Sequence, residues 1–220
     1  MEFFERILET RLRSVESSRR RAEILAERAF LREERDQTSE ALSDRLEALR
    51  LDPGSPEHHE RASELAERLG RRDEYVDAVE QLLAKARRNT DVLERCELLL
   101  RLASALEARE EYERAIDLLR QAEQTGVREV DVWRAHARLF GSIGDTDRQV
   151  EFLQRLADLG EDDSDTRVDA LYRMAEVQLA SPDTVERGVL TLGEALESTP
   201  RIERAGRILR RAAEANPGRI

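Results

Sequence analysis

The sequence is poor in the residues that usually stabilise a compact globular domain. It contains one cysteine, Cys96, so no disulfide can form within the chain. Aromatic residues make up 4% of the sequence, which argues against a single large core of bulky side chains. Only five prolines and ten glycines interrupt it, and apolar residues recur at spacings of three and four between them. These features predict an all-helical protein.

Long hydrophobic runs and strongly basic regions are also lacking. No stretch is apolar enough to span a bilayer, and residues 1–10 lack the basic start and apolar run of a signal peptide. The net charge is −11, so a nucleic acid or an anionic membrane surface would be repelled at long range. No basic face with interleaved aromatic residues offsets that repulsion. We expect a soluble, cytoplasmic protein that neither inserts into membranes nor binds nucleic acid.

Alanines recur at a nearly constant interval along the chain. Ala29, Ala66, Ala103, Ala137 and Ala175 are separated by 37, 37, 34 and 38 residues. A period in this range is typical of stacked helical hairpins. Each hairpin is too small to bury its apolar face alone, so neighbouring hairpins stack and small residues let their helices approach closely. The interval therefore predicts a solenoid.

Apolar periodicity and capping residues divide the chain into twelve predicted helices. Three breaks place a hydroxyl residue before a proline, the pattern of an N-cap followed by the first helical residue, and these are Ser55-Pro56, Ser181-Pro182 and Thr199-Pro200. Gly144-Asp145 combines a turn glycine with a capping aspartate. The predicted helices span residues 2–17, 20–35, 38–51, 56–69, 72–87, 91–108, 111–124, 129–141, 145–159, 166–180, 183–198 and 201–215.

One repeat carries the pattern of a known family. Its apolar and small positions are Leu102, Ala103, Leu106, Tyr112, Ala115, Leu119 and Ala122. This unit resembles a tetratricopeptide repeat, a 34-residue helical hairpin with small residues where the helices touch. Other units repeat parts of the pattern, although Lys85, Gln149 and Leu156 stand where a small residue is usual. Related helical-hairpin repeats therefore stay open as an alternative.

The resemblance implies an all-α, right-handed superhelical solenoid of antiparallel helical hairpins. We predict an N-terminal helix, either half a hairpin or a cap, at residues 1–19, five hairpins at 20–200 and a C-terminal helix at 201–220. Phe3 and Phe4 begin the apolar side of the first helix, which favours an excerpt from a longer array over a cap. In the last helix we expect Ile202, Ala205, Leu209 and Ala212 to face inward and Arg201, Arg204, Arg207 and Arg211 to face outward.

Reactive residues are scarce and poorly arranged for chemistry. His58 and His59 are adjacent, so on a helix they point about 100° apart and cannot easily share one metal ion. Cys96 and His136 differ in repeat position by an offset of about 9 Å along the helices, so we expect a buried cysteine and an edge histidine. Residues 141–144 follow a helix and predict a hairpin turn rather than a phosphate loop. We therefore expect no catalytic, cofactor or metal site, and no enzyme.

A concave groove is the remaining candidate site. In the proteins that this chain resembles, the first helix of each hairpin lines the groove, and the residues around the small alanine face the ligand. When this pattern is carried over position by position, the resemblance implies that the partner-binding residues are Phe30, Arg101, Arg134, Arg138, Tyr172 and Arg173. Ser63, Glu67 and Ser104 are further positions expected to face the groove. The four arginines could form a cationic spot or simply pair with acidic neighbours such as Asp131. The lysine and asparagine set with which some relatives bind a C-terminal carboxylate is absent.

The resemblance implies a noncatalytic scaffold that mediates protein–protein interactions by binding a protein or peptide partner. Two alternatives stay open. The chain could be a self-associating assembly module, and so a homo-oligomer. It could also be a regulatory or docking arm of a larger enzyme whose catalytic domain lies outside this sequence.

Overall fold

The computed structural model describes residues 2–86, 91–159 and 164–216 and consists there of α-helices joined by short turns. Each predicted helix corresponds to one observed helix, so the all-α prediction is confirmed. In chain order the helices are α1 (Glu2–Ser14), α2 (Ser18–Glu33), α3 (Thr38–Leu51), α4 (Pro56–Arg68), α5 (Arg72–Ala86), α6 (Val92–Glu107), α7 (Tyr112–Glu123), α8 (Glu129–Ser142), α9 (Thr146–Ala157), α10 (Ser164–Ala180), α11 (Val185–Ser198) and α12 (Ile202–Ala215).

Two of the predicted helix starts are confirmed in detail. Pro56 is the first residue of α4, and the Ser55 side chain accepts a hydrogen bond from the backbone N–H of His58 at 3.4 Å. Gly144 has φ of 76°, a left-handed conformation that a residue without Cβ adopts at little cost. Asp145 follows it and caps α9 through its side chain. Local sequence chemistry thus determines where these helices begin.

The other two serine- or threonine-proline starts are wrong by a few residues. Helix α11 begins at Val185, not after Ser181, because the Thr184 hydroxyl donates to the backbone carbonyl of Gln178 at 2.6 Å and holds the preceding turn. Helix α12 begins at Ile202, after Thr199-Pro200. The turn before α12 contacts a distant part of the chain, because the Tyr172 hydroxyl accepts a hydrogen bond from the backbone N–H of Arg201 at 2.8 Å. A local sequence pattern cannot reveal that contact.

The helices form two compact units, residues 1–109 and 110–220. In the first unit each of α1 to α5 packs against the next helix, ending with α6, and α3 also contacts α5. In the second unit α7, α8, α9, α10 and α11 pack in succession, and α12 lies against α10 and α11. Contacts between neighbours in the chain are typical of a helical repeat. The assignment of five hairpins to 20–200 stays a prediction, since its third hairpin spans the boundary between the units.

The periodic alanines are buried. Ala29, Ala66, Ala103, Ala137 and Ala175 are each at most 3% exposed. Because a methyl group is the whole side chain, a buried alanine can let two helices approach more closely than a larger residue would. Their burial agrees with the role predicted from their spacing.

A buried charge network ties α2 to α3. The Asp44 carboxylate accepts hydrogen bonds from Arg28 at 2.6 and 2.8 Å and from Arg32 at 2.8 Å. Arg45 pairs with Glu33 at 2.8 Å on the same pair of helices. Since Asp44 and Arg45 are themselves buried, these charges need their partners to offset the loss of hydration.

The C-terminal helix buries partly different residues from those predicted. Ala205 and Ala212 are buried, as expected, but Ile202 and Leu209 are 71% and 38% exposed, and Ile208 is buried instead. Arg204, expected to face outward, lies against α10 and pairs with Asp169 at 2.6 Å. This arginine therefore faces α10 and not solvent, which corrects its predicted orientation. The side chains of Phe3 and Phe4, on which the prediction for α1 rested, lie outside the described residues.

Candidate functional site

A pocket of about 470 Å³ lies among α4, α5 and α6 of the first unit. We call it the Arg101 pocket. It is lined by Pro56, His59, Glu60, Ser63, Ala66, Glu67, Arg72, Tyr75, Arg101, Ser104, Ala105 and Ala108. Glu60, Glu67 and Ser104 are exposed, so the pocket is accessible from solvent. Four of its residues, Ser63, Glu67, Arg101 and Ser104, are positions predicted from the sequence to face a groove.

Two buried polar side chains, His59 and Tyr75, contact each other in this pocket. The Nδ1 atom of His59 lies 3.1 Å from the Tyr75 hydroxyl, and its Nε2 atom lies 3.0 Å from the carbonyl oxygen of Pro53. A carbonyl can only accept, so Nε2–H donates to Pro53 and Nδ1 accepts from the hydroxyl. The first-turn position of His59 was predicted, but its burial was not.

Burial keeps this histidine–tyrosine pair uncharged at neutral pH. Burial and, to a smaller extent, the positive charge of Arg101 lower the pKa of His59 to about 4. Burial also raises the pKa of Tyr75 to about 12, although Arg101 acts in the opposite direction. The imidazole is therefore neutral and the phenol protonated at pH 7. The pair adds hydrogen-bonding groups to the pocket, without net charge.

The charged side chains of the pocket differ in their pairing. Arg72 is bound to Glu67 and also donates to the carbonyl oxygen of Ala108 at 3.2 Å. Arg101 makes neither a hydrogen bond nor an ion pair with any residue that the structure describes. Glu60 likewise makes neither a hydrogen bond nor an ion pair with a residue that the structure describes. The pocket thus presents one cation, from α6, and one anion, from α4, that are available to a ligand.

Phe30 lines a second pocket of the first unit. This pocket has a volume of about 900 Å³ and lies among α1, α2, α3 and α4, with Ile7 and Leu8 beside the phenylalanine ring. Phe30 is 57% exposed, so much of its side chain is accessible to solvent. Phe30 and Arg101 therefore line different pockets of one unit, although the sequence placed both in one groove.

Arg134 and Arg138 project from α8 in the second unit. Arg134 pairs with Asp131 at 3.2 Å and donates to the Thr166 hydroxyl at 3.4 Å. Asp131 is one of the acidic neighbours named from the sequence as an alternative partner. Arg138 is exposed on the same helix. Local ion pairing therefore accounts for Arg134 without any bound partner.

Arg173 is also paired with an acidic neighbour. Its Nε atom lies 2.8 Å from Asp169, which Arg204 binds from α12. Partial burial raises the pKa of Asp169, but the hydrogen bond from Arg204 and the charge of Arg173 outweigh it, and the pKa is lowered overall. The carboxylate is therefore ionised at neutral pH and compensates both arginines. The positive charge of Arg173 is thus already compensated by the Asp169 carboxylate.

Tyr172 does not face an open groove. Its side chain is fully buried, its hydroxyl donates to the carbonyl oxygen of Thr199 at 2.9 Å, and it accepts from the backbone N–H of Arg201 at 2.8 Å. Arg204 lies over its ring, 5.0 Å from the centroid. Helix α12 covers this part of α10, which corrects the prediction that Tyr172 contacts a partner.

The remaining reactive candidates lie inside the protein. Cys96 is buried, as predicted. His136 is buried too, so the prediction of an edge histidine is wrong; its ring stacks on that of Phe152 with centroids 4.2 Å apart. Burial lowers the pKa of His136, with Glu123 opposing the shift. Within the described ranges, no group of three or more histidine, cysteine, aspartate or glutamate side chains could hold a metal ion.

None of the helices in the described part of the chain is both long and apolar enough to cross a membrane.

Solved structures of repeat proteins superimpose on the chain over most of its length. BtubC from P. vanneervenii is 21% identical with a TM-score of 0.55, and the match covers 96% of this chain and 92% of that one. A Podosopora anserina protein with nearly identical TPR-like repeats is 17% identical with a TM-score of 0.54, over 92% and 100%. YrrB, a TPR protein with an unusual peptide-binding site, is 17% identical with a TM-score of 0.51, over 85% and 91%.

No protein-family model matches the chain, and no curated protein matches its sequence. At 17 to 21% identity, the similarity to the solved structures is one of fold. Together with the twelve helices and the buried periodic alanines, it identifies the chain as an all-α helical-hairpin protein with the fold of tetratricopeptide repeat proteins.

Proposed function

We propose that the chain is a noncatalytic scaffold that binds a protein or peptide partner in the Arg101 pocket. The observation that carries the proposal is this accessible pocket between α4 and α6, the first helices of two successive predicted hairpins. It combines small apolar residues, hydroxyl groups and charged groups that are available to a ligand, a combination suited to an extended peptide. The fold supports the same conclusion, since YrrB, which shares it, is described as having a peptide-binding site.

Size and accessibility support a peptide segment as the ligand. A volume of about 470 Å³ can hold a few side chains but not a folded domain. Ala105 is half-buried and Ala108 is exposed, and their small side chains leave room for a ligand backbone to approach α6. The partner therefore contributes a short extended segment to this pocket, whatever the size of the whole partner.

Filling the pocket tests the proposal. Peptides that bind the chain are first selected from a random library displayed on phage. Ser104→Trp then places an indole at the exposed side of the pocket and should reduce the affinity of the selected peptides at least about tenfold. Ser43→Trp is the matched control, because Ser43 is an exposed serine on α3 that lines none of the described pockets. It should leave affinity unchanged.

Two results would contradict the proposal. One is a selection that yields no specific peptide. The other is equal binding by the Ser104→Trp and Ser43→Trp variants, which would move any binding site away from this pocket. Far-UV circular dichroism of both variants shows whether the helices are intact, so a loss of binding is not mistaken for unfolding.

Self-association is a second candidate function, and exposed apolar residues of the second unit favour it. Val189 and Leu190 on α11 are both more than half exposed. If a second copy covers them, sedimentation velocity should show a concentration-dependent dimer that Val189→Ser with Leu190→Ser dissociates. A chain that stays monomeric at high concentration would rule out this candidate.

A further inference from the structure

We infer that the Arg101 pocket recognises a single carboxylate side chain, an aspartate or glutamate of the partner peptide, through the guanidinium group of Arg101. The inference rests on the proposed function, because it names the chemistry of the peptide that the pocket binds. It adds a specificity-determining residue and a ligand class that the fold alone does not supply.

The two arginines of the pocket differ in whether they are paired. Arg72 already has a carboxylate and a carbonyl as partners, whereas Arg101 has neither among the described residues. A guanidinium group has five N–H donors in a planar fork that matches the two oxygens of a carboxylate. Arg101 is also partly buried, which reduces its hydration and strengthens an ion pair formed there. It is therefore the natural anchor for an anionic group.

The buried His59 and Tyr75 do not compensate the charge of Arg101. The His59 imidazole is neutral because burial and the nearby arginine lower its pKa to about 4, and the Tyr75 phenol is protonated. Ser63 and Ser104 line the same pocket and can donate further hydrogen bonds to a carboxylate. An acid bound at Arg101 would thus meet hydrogen-bond donors and a guanidinium group that makes no ion pair with a described residue.

The second available charge, on Glu60, limits the ligand to one acidic group. Glu60 lines the pocket and is not paired within the described residues. A run of acids or a doubly charged phosphate would be repelled by this carboxylate and by the net charge of −11. The pocket therefore suits a peptide in which a single acid is flanked by neutral or basic residues.

A double-mutant cycle with a selected peptide tests the inference. The peptide's acid is replaced by its amide, glutamate by glutamine or aspartate by asparagine, and Arg101→Gln is made in the protein. Each change alone should weaken binding at least about tenfold, or about 1.4 kcal/mol, and both together should weaken it little more. Arg101→Lys keeps the charge but loses the fork, so it should restore only part of the affinity. Arg61→Gln is the control, since Arg61 on α4 lines the other pocket.

The outcomes separate this inference from the proposed function. If the selected peptides lack a shared acid, or if Arg101→Gln and the amide peptide weaken binding independently, the ligand class is wrong. Loss of binding in Ser104→Trp would then still support peptide binding in the pocket. If no peptide binds, both are overturned. Tighter binding by a phosphopeptide than by the matched acidic peptide would contradict the single-carboxylate limit.

Discussion

Replacement of Gly188 by alanine tests how closely α10 and α11 pack. A Cβ atom at this position would lie 2.7 Å from Cγ of Leu179 and 2.8 Å from the backbone nitrogen of the same residue. The second contact is with the backbone of α10, so a change of side-chain rotamer cannot relieve it. Such overpacking typically costs about 1–3 kcal/mol.

The opposing effect is helix propensity. Alanine is more favourable than glycine inside a helix by about 1 kcal/mol. Gly193 on the same helix is the matched control, because a Cβ there would meet no atom within 4 Å apart from the neighbouring backbone. We expect Gly193→Ala to raise the free energy of unfolding by roughly 0.5–1 kcal/mol. Gly188→Ala should lower it by up to about 2 kcal/mol, the overpacking cost less the propensity gain.

Urea unfolding followed by far-UV circular dichroism measures both variants in one experiment. Opposite signs for the two glycines are the expected result. If both alanine variants were stabilised equally, α10 and α11 could not be as close as described, and the packing of this hairpin would need to be revised.

Three further predictions concern buried charge, pH and the arginines of α8. Asp44→Ala leaves two arginines without their shared partner and should lower the free energy of unfolding in urea by about 3–5 kcal/mol. Asp117→Ala, at an exposed ion pair, should lower it by under about 1 kcal/mol. Equal effects would contradict the buried network. The pKa of His59 is about 4 in the folded state and 6.5 in the unfolded state, so between these values the unfolded state binds more protons and the free energy of unfolding falls as the pH drops. His59→Gln should reduce this fall. An unchanged pH dependence of stability in the variant would contradict the burial of this imidazole. Arg134→Glu with Arg138→Glu should leave helicity intact and should not change capture of the selected peptides, because these two residues do not line the Arg101 pocket. Loss of capture with intact helices would instead place the binding site at α8.

Periodic features of the fold were predictable from the sequence because each depends on local chemistry. Helix α4 begins at Pro56 because a serine cap and a proline are sufficient to start a helix. The spacing of Ala29, Ala66 and Ala103 predicted the close helix contacts, since only small residues are tolerated where hairpins touch. These properties repeat, and so they are visible without knowing tertiary structure.

Features that depend on one long-range contact were not predictable. Arg204 faces α10 because it pairs with Asp169, 35 residues away in the chain. The burial of Tyr172 follows from α12 lying over α10. A C-terminal helix was predicted at 201–220, but repeat position alone does not indicate that it packs on Tyr172.

The candidate site was predicted in part. Arg101 and its neighbours Ser63 and Ser104 were found by repeat position, because the same face of each first helix recurs. The histidine–tyrosine pair of the pocket was missed, although Tyr75 precedes Tyr112 by 37 residues and so occupies the same repeat position. The pairing state of each arginine depends on three-dimensional neighbours. Arg134 is paired with Asp131, whereas Arg101 is not paired within the described residues, and this difference could not be predicted from the sequence.

Binding of a peptide in the Arg101 pocket of the first unit can be located residue by residue. Backbone amide chemical shifts are followed by NMR while a selected peptide is added. The largest changes should fall in the pocket-lining parts of α4, α5 and α6, at residues 56–75 and 101–108, with the Arg101 side-chain Nε–H shifted as well. Saturable shifts confined to other helices would contradict the account.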